Sequence, residues 1–331
     1  MLTAKTAPPR LLLSVLILLA APQCPAQESA GPPRNPRPGT YSVTIPCGGF
    51  DRTYLVHVPK GFSPEKRLPL VIMLHGGGGT GRGALEETGW DTKADREGFL
   101  AAFPDALARD PSKRSSFVGN PQLWNDGSFR FFPDGSGPDD VAFIAAVIDD
   151  LQSRYPVDRK RIYLTGFSNG ASMCFLAAAS LPTRIAAAAP ASGAWWRPQT
   201  RLERPVPLCY ITGDSDPLNP LAGGRLTTAA GRQMGLFDTP KPPVLDSVTA
   251  WAEAVGCPGE PASTIEKDGV ITRTYGPGRG GAEVLFITVG GMGHNWAGGL
   301  SHLPESVVGK RSNKLNATNV IWEFFARHPL P

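Results

Sequence analysis

The sequence predicts an α/β fold, a mostly parallel central sheet with helices on both faces. Three observations carry this expectation. Strand-like apolar runs alternate with helical periodicities from Thr40 onward. Several runs, "LPLVIMLHG" among them, are apolar throughout, as strands buried on both faces are. That run also ends in glycines, where a chain can turn sharply out of a sheet.

The elements follow in order. "YSVTI" and "TYLVHVP" form an antiparallel pair at a sheet edge, and "LPLVIMLHG" is a buried strand. A helical stretch covers Ala84 to Glu97, and "FLAAFP" is a short strand. The passage from Asp105 to Pro138 is Gly/Pro/Ser-rich and too long for an ordinary connection, which marks it as a functional surface loop. "DDVAFIAAVIDDLQSRY" places Val141, Ile144, Ala145, Ile148 and Leu151 on one helical face, with Asp139 or Asp140 as N-cap. "RIYLT" is a strand, and Gly170 to Leu181 a helix of small residues. "IAAAAPA" and "VPLCYIT" are buried strands. "DSVTAWAEAVG" is a helix, "GVITRTYG" and "AEVLFITVG" are strands, and "NATNVIWEFFARH" closes the chain as a helix.

At 331 residues and 41% hydrophobic, the chain can bury a large core. Its formal charge of +4 comes with no basic stripe interleaved with aromatics, so nucleic acid is not an expected partner. Residues 1–26 read as an export signal: Lys5 and Arg10 precede the apolar run "LLLSVLILLAA", which is too short to span a bilayer, and small residues follow near Ala26. Residues 27–39 are a Pro-rich spacer and residues 40–331 one catalytic domain, which predicts a secreted, extracellular or periplasmic protein with no stable membrane span. Cys174 and Cys209 lie in apolar elements as free thiols, whereas Cys47 and Cys257 flank Gly-containing turns and are the better disulfide pair. No Cys/His spacing suits a metal, and no cofactor is called for.

The chemistry centres on "TGFSNGAS", a G-x-S-x-G sequence between a strand and a helix. Such a turn forces a strained backbone that lifts the serine hydroxyl above the sheet, and only glycine-sized neighbours permit it. Ser168 is thus the expected nucleophile. On an α/β-hydrolase architecture the acid and then the histidine follow the serine in the chain. Of the five histidines, His57 and His75 precede Ser168, and His328 sits in the terminal tail. His294, in "VGGMGHNWAGG" after a strand, is the expected base, with His302 as fallback. The acid lies in "GDSDP", as Asp216 or Asp214; Asp216 is favoured because the following proline fixes its turn. "LHGGGGT" supplies the first oxyanion donor, Gly77 with Gly78 as the alternative, and the N–H of Asn169 is the second. Among the tryptophans Trp124, Trp195, Trp196 and Trp296, substrate contact is expected of Trp296, next to the histidine, and of Trp124 in the long loop.

"LHGGGGT", "WNDG", "DDVAFIAAVIDDL", "GFSNGASM", "GDSDP" and "GGMGHNWAGG" occur in the order of the secreted polyhydroxybutyrate depolymerase and feruloyl esterase-like family of α/β-hydrolases, which the chain resembles from Tyr41 to Phe325. The resemblance implies Ser168 as nucleophile, Asp216 as acid and His294 as base. It implies a carboxylic ester as substrate: a polyester oligomer or short-chain ester, or a feruloyl or acetyl group on plant polysaccharide. The alternatives outside esterase chemistry are a serine peptidase and a non-catalytic glycan-binding protein.

Overall fold

The computed structural model describes residues 37–133, 135–225 and 239–331. The expected export segment lies outside them. Among the described residues ten strands form one sheet in the order β1-β2-β4-β3-β5-β6-β7-β10-β9-β8. β1 (Gly39–Cys47) and β2 (Phe50–Val58) make the expected antiparallel edge pair. The centre is parallel: β4 (Leu100–Pro104), β3 (Leu68–Leu74), β5 (Val157–Phe167), β6 (Ala187–Ala191), β7 (Leu208–Gly213) and β10 (Val284–Val289) run side by side in one direction. β9 (Val270–Tyr275) and β8 (Ser263–Lys267) add an antiparallel pair at the far edge. β8 was not expected; each of its five residues, "STIEK", is exposed, so it carries no pattern of burial.

The alternation of side chains along a strand divides the core in two. In β3, Leu70, Ile72 and Leu74 enter one hydrophobic layer, while Val71 and Met73 enter the other. Helices α3 (Asp140–Arg154), α4 (Asn169–Ser180) and α5 (Val244–Ala254) cover the first layer. Helices α1 (Gly81–Thr88), α2 (Trp90–Glu97) and α7 (Ala317–Ala326) cover the second. A single turn, α6 (Glu305–Val308), precedes α7. The helix expected over Ala84 to Glu97 is two helices, because Gly89 takes φ 65° and ends the first. In α3 the buried face runs through Phe143, Ile144, Val147, Ile148 and Leu151, and Asp139 is the N-cap, accepting from the Ala142 N–H at 2.9 Å.

The expected disulfide between Cys47 and Cys257 is not formed. Cys257 is a buried free thiol, as are Cys174 and Cys209, and the disulfide of Cys47 is made with none of them. Sheet order explains the failure. Cys47 ends β1, whereas the Cys257 thiol packs against Ala282 at the start of β10. Those strands stand seven steps of about 4.8 Å apart, far beyond the ~7 Å that a disulfide can bridge between Cα atoms.

Candidate active site

β4 and β5 lie on opposite sides of β3, so the connections leaving β3 and β5 open a crevice at their carboxyl ends. Ser168 sits at the top of β5 with φ 56° and ψ −116°, a conformation that L-residues rarely adopt and that costs about 1–3 kcal/mol. Its N–H is held by the Ala191 carbonyl of β6 at 2.9 Å. The flanking glycines are needed for packing: a Cβ on Gly166 would lie 2.2 Å from the Gly170 carbonyl oxygen, and one on Gly170 would lie 2.3 Å from that of Leu74. Such contacts are steric overlaps. The sequence "GFSNG" therefore folds against β3 only as it stands.

His294 Nε2 lies 2.8 Å from Ser168 Oγ, and His294 Nδ1 lies 2.7 Å from Asp216 Oδ2. A carboxylate can only accept, so Nδ1 carries the proton and Nε2 is the atom that accepts from the serine hydroxyl. Asp216 Oδ1 accepts from the N–H groups of Leu218 (2.8 Å) and Asn219 (2.7 Å), which orients the carboxylate. Burial alone would raise the Asp216 carboxyl, but His294, the nearby Lys241 ammonium and the Leu218 N–H reverse the effect and hold it below the ordinary carboxylate range. Asp214 is instead a turn cap, accepting from the Gly291 N–H at 2.7 Å. His302 borders the cleft but stands 3.8 Å from Glu86 and away from this chain of contacts.

The glycine loop after β3 faces Asn169: a Cβ on Gly77 would stand 3.6 Å from that of Asn169. The Gly78 N–H is taken by the Gln122 carbonyl at 2.8 Å, which removes it as an oxyanion donor. No bond within the described residues occupies the Gly77 N–H. His75 fixes the loop from below. Its Nδ1 donates to the Gly76 carbonyl at 2.7 Å and its Nε2 accepts from the Ala106 N–H at 3.0 Å. Burial pushes its pKa down, so it stays neutral in that tautomer.

The two tryptophans expected at the substrate are elsewhere. Trp124 is fully buried behind the glycine loop, where its indole N–H donates to the His75 carbonyl at 2.9 Å. Trp296 is buried in the second core layer, its indole N–H bound to Thr318 Oγ1 at 2.9 Å, and it meets only a minor hollow beside His294. Both rings support the site from behind. The cleft of about 320 Å³ above Ser168 is walled by Phe117, Leu123, Phe131, Phe167, Leu218 and Leu303.

The sequence also gave no warning of three charged groups on that wall, Glu87, Arg130 and Lys241. Arg130 pairs with Asp126 at 3.0 Å and lies over the Trp196 ring, 4.4 Å from its centroid. The Lys241 ammonium donates to the Leu218 carbonyl (2.9 Å) and to Asn219 Oδ1 (2.8 Å). Burial, aided by Arg130, pushes its pKa down to about 7. Lys241 sits in "TPKPPV", which reads as an ordinary proline-rich turn. Among the described residues no cluster suits a metal ion, and no helix is long and apolar enough to cross a membrane.

Residues 62–235 match a family model described as phospholipase/carboxylesterase. The chain belongs to that family. As a member it is an esterase-type α/β-hydrolase, in keeping with its sheet and crevice. It is 28% identical to a putative esterase, NocK, of Nocardia uniformis subsp. tsuyamanensis over 94% of this chain and 96% of that one. It is 31% identical to feruloyl esterase B of Piromyces equi over 73% of this chain, and 27% identical to poly(3-hydroxyalkanoate) depolymerase C of Paucimonas lemoignei over 72%. It spans only 42% and 51% of those two relatives. The solved structure of pOPH in its native form superposes with a TM-score of 0.56 at 15% identity, covering 90% of this family member and 89% of pOPH, a likeness of fold.

Proposed function

We propose that this phospholipase/carboxylesterase family member is a serine esterase that works through an acyl-enzyme. The observation that carries the proposal is the continuous chain Asp216, His294, Ser168, with contacts of 2.7 and 2.8 Å. Ser168 Oγ attacks the ester carbonyl carbon while its proton passes to His294 Nε2. The carbonyl oxygen becomes an oxyanion between the N–H groups of Gly77 and Asn169. When the tetrahedral adduct collapses, the bond to the alcohol oxygen breaks and the imidazolium gives that oxygen its proton. Water, deprotonated by His294, then attacks the acyl-serine, and the acid leaves as Ser168 recovers its proton. Asp216 holds the histidine tautomer and stabilises its cationic form throughout.

The substrates in this proposal are short-chain esters and polyester oligomers, with feruloyl or acetyl groups on polysaccharide as the second class. Support comes from the apolar cleft and from the relatives named for each. Residues 1–26 are read as an export signal, 27–39 as a spacer and 40–331 as the catalytic domain, with N-terminal sequencing of protein from the culture medium or periplasm as the check. The functional test is acid release from 4-nitrophenyl acetate and butyrate, methyl ferulate, acetylated xylan and amorphous polyhydroxybutyrate. Wild type should cleave at least one, and Ser168→Ala should lose about 10⁴-fold or more in kcat. Cleavage by neither protein would sink the proposal.

A further inference from the structure

Lys241 is in an unusual position for an ammonium group. The residue is 7% exposed, yet both of its hydrogen-bond acceptors, Leu218 O and Asn219 Oδ1, are neutral. Among the described residues no carboxylate makes an ion pair with it. Buried charges are ordinarily paired, because a cation taken out of water without a counter-charge is costly. Three donors belong to an ammonium, and two are used.

Asp216 and Asp126 act on Lys241 only through space, and a direct counter-charge has a place to sit. Lys241 and Arg130 line the same cleft as Ser168 and Asn169. The two cations are close enough for Arg130 to weaken the proton affinity of Lys241. Arg130 has a carboxylate partner, Asp126, but Asp126 is not on the cleft wall. Asp126 is also shared: its Oδ2 accepts from Asn169 Nδ2 at 2.9 Å and its Oδ1 from the Ser128 N–H at 3.0 Å. Arg130 Nη1 has no hydrogen bond among the described residues. Glu87 also lines the cleft, and burial raises its carboxyl pKa above the ordinary value. An anion entering beside Lys241 and Arg130 therefore meets a guanidinium and an amine that it would hold in its charged form, with Asp126 and Asp216 behind them and Glu87 elsewhere on the wall.

We propose that Lys241 and Arg130 form an anion subsite that selects esters bearing a free carboxylate near the scissile bond, such as a short hydroxy-acid oligomer or the half-ester of a dicarboxylic acid. The inference rests on the esterase reading and refines its substrate class. Lys241 has a second, positioning part, since Leu218 and Asn219 also hold Asp216. The two parts separate experimentally, because loosening the acid would slow every ester alike, whereas loss of the subsite would slow only the charged ones.

The experiment compares esters of like shape and different charge. For the acyl side the pair is mono-4-nitrophenyl glutarate and 4-nitrophenyl valerate; for the alcohol side it is 3-acetoxybenzoate and 3-methylphenyl acetate. Wild type should favour the charged member of at least one pair by about tenfold or more in kcat/KM, the worth of a hydrogen bond to a charged group. That ratio should fall toward one in Lys241→Gln and in Arg130→Gln, survive in part in Lys241→Arg, and shrink with added salt. Turnover of the neutral esters without preference in either pair would overturn the subsite, as would variants that slow both members equally. Failure of wild type on all four esters would instead count against the esterase reading itself. Arg130→Gln and the wild-type ratio keep the test decisive if Lys241→Gln does not fold.

Discussion

The turn at Ser168 and the passage from Asp105 to Pro138 both border the cleft, but they are held in opposite ways. The turn is fixed by absence: Gly166 and Gly170 have no side chains, and backbone meets backbone across β3, β5 and β6. The long passage is fixed by side chains. Asn120 receives the Asp110 N–H and donates to the carbonyls of Asp110, Lys113 and Arg114. Asn169 Oδ1 accepts from the Trp124 N–H at 2.8 Å. Asp140, buried with Arg52 at 2.7 Å, accepts from the Asn125 N–H, and Arg52 also reaches the Asp105 carbonyl. Steric fixation leaves the Ser168 turn little room to move. Polar stitching sets a wall whose shape substitutions can alter without moving the reacting atom.

The largest effect should come from breaking the turn. Gly170→Ala would drive a methyl group into the carbonyls of Leu74 and His75 and displace Ser168; kcat should fall about a hundredfold or more, and labelling by a fluorophosphonate should fail in step. Next in size, Arg52→Ala would leave Asp140 buried without its cation and loosen the long passage at Asp105 and Asn125. Urea unfolding should register a loss of about 3–5 kcal/mol, with the fluorophosphonate reaction of the remaining folded protein retained. Smaller still, Asn169→Ala keeps the backbone N–H but loses the stitches to Trp124 and Asp126. A rise in KM of about tenfold, larger than any fall in kcat, would place its side chain on the wall; an equal fall in kcat with constant KM would place it with the turn.

The smallest effect concerns pH. The Asp216 carboxyl is held below its ordinary range, so its folded pKa lies under the unfolded value of about 3.9. Its stabilising contribution is complete above that unfolded value and is lost as pH falls through the folded one. Urea unfolding followed from neutral pH to about pH 3 should decline less steeply in Asp216→Asn than in wild type. Parallel curves would remove Asp216 from the groups that govern acid stability.

The same contrast explains how much the sequence disclosed. Ser168, with Gly166 and Gly170, was legible because local sterics permit few other uses of that pattern. His294 and Asp216 were legible because strand order restricts where partners of Ser168 can arise. The cleft wall was not. A tryptophan beside a key residue in the chain says nothing of the direction its ring takes, so Trp124 and Trp296 were expected in the cleft and lie behind it. Lys241 was silent because its importance comes from burial beside Leu218 and Asn219, which "TPKPPV" does not encode. β8 escaped for the opposite reason, having no buried residue to betray it.

The backbone contacts that hold Ser168 have a consequence in time. Its setting is completed by carbonyls of Leu74, at the end of β3, and of Ala191, at the end of β6, segments far apart in the chain. Until those strands lie side by side, nothing holds the strained backbone that lifts the Ser168 hydroxyl above the sheet. On the proposed mechanism, a chain whose sheet is unfinished would therefore carry no active hydroxyl, and would acquire one only when β3 and β6 flank β5.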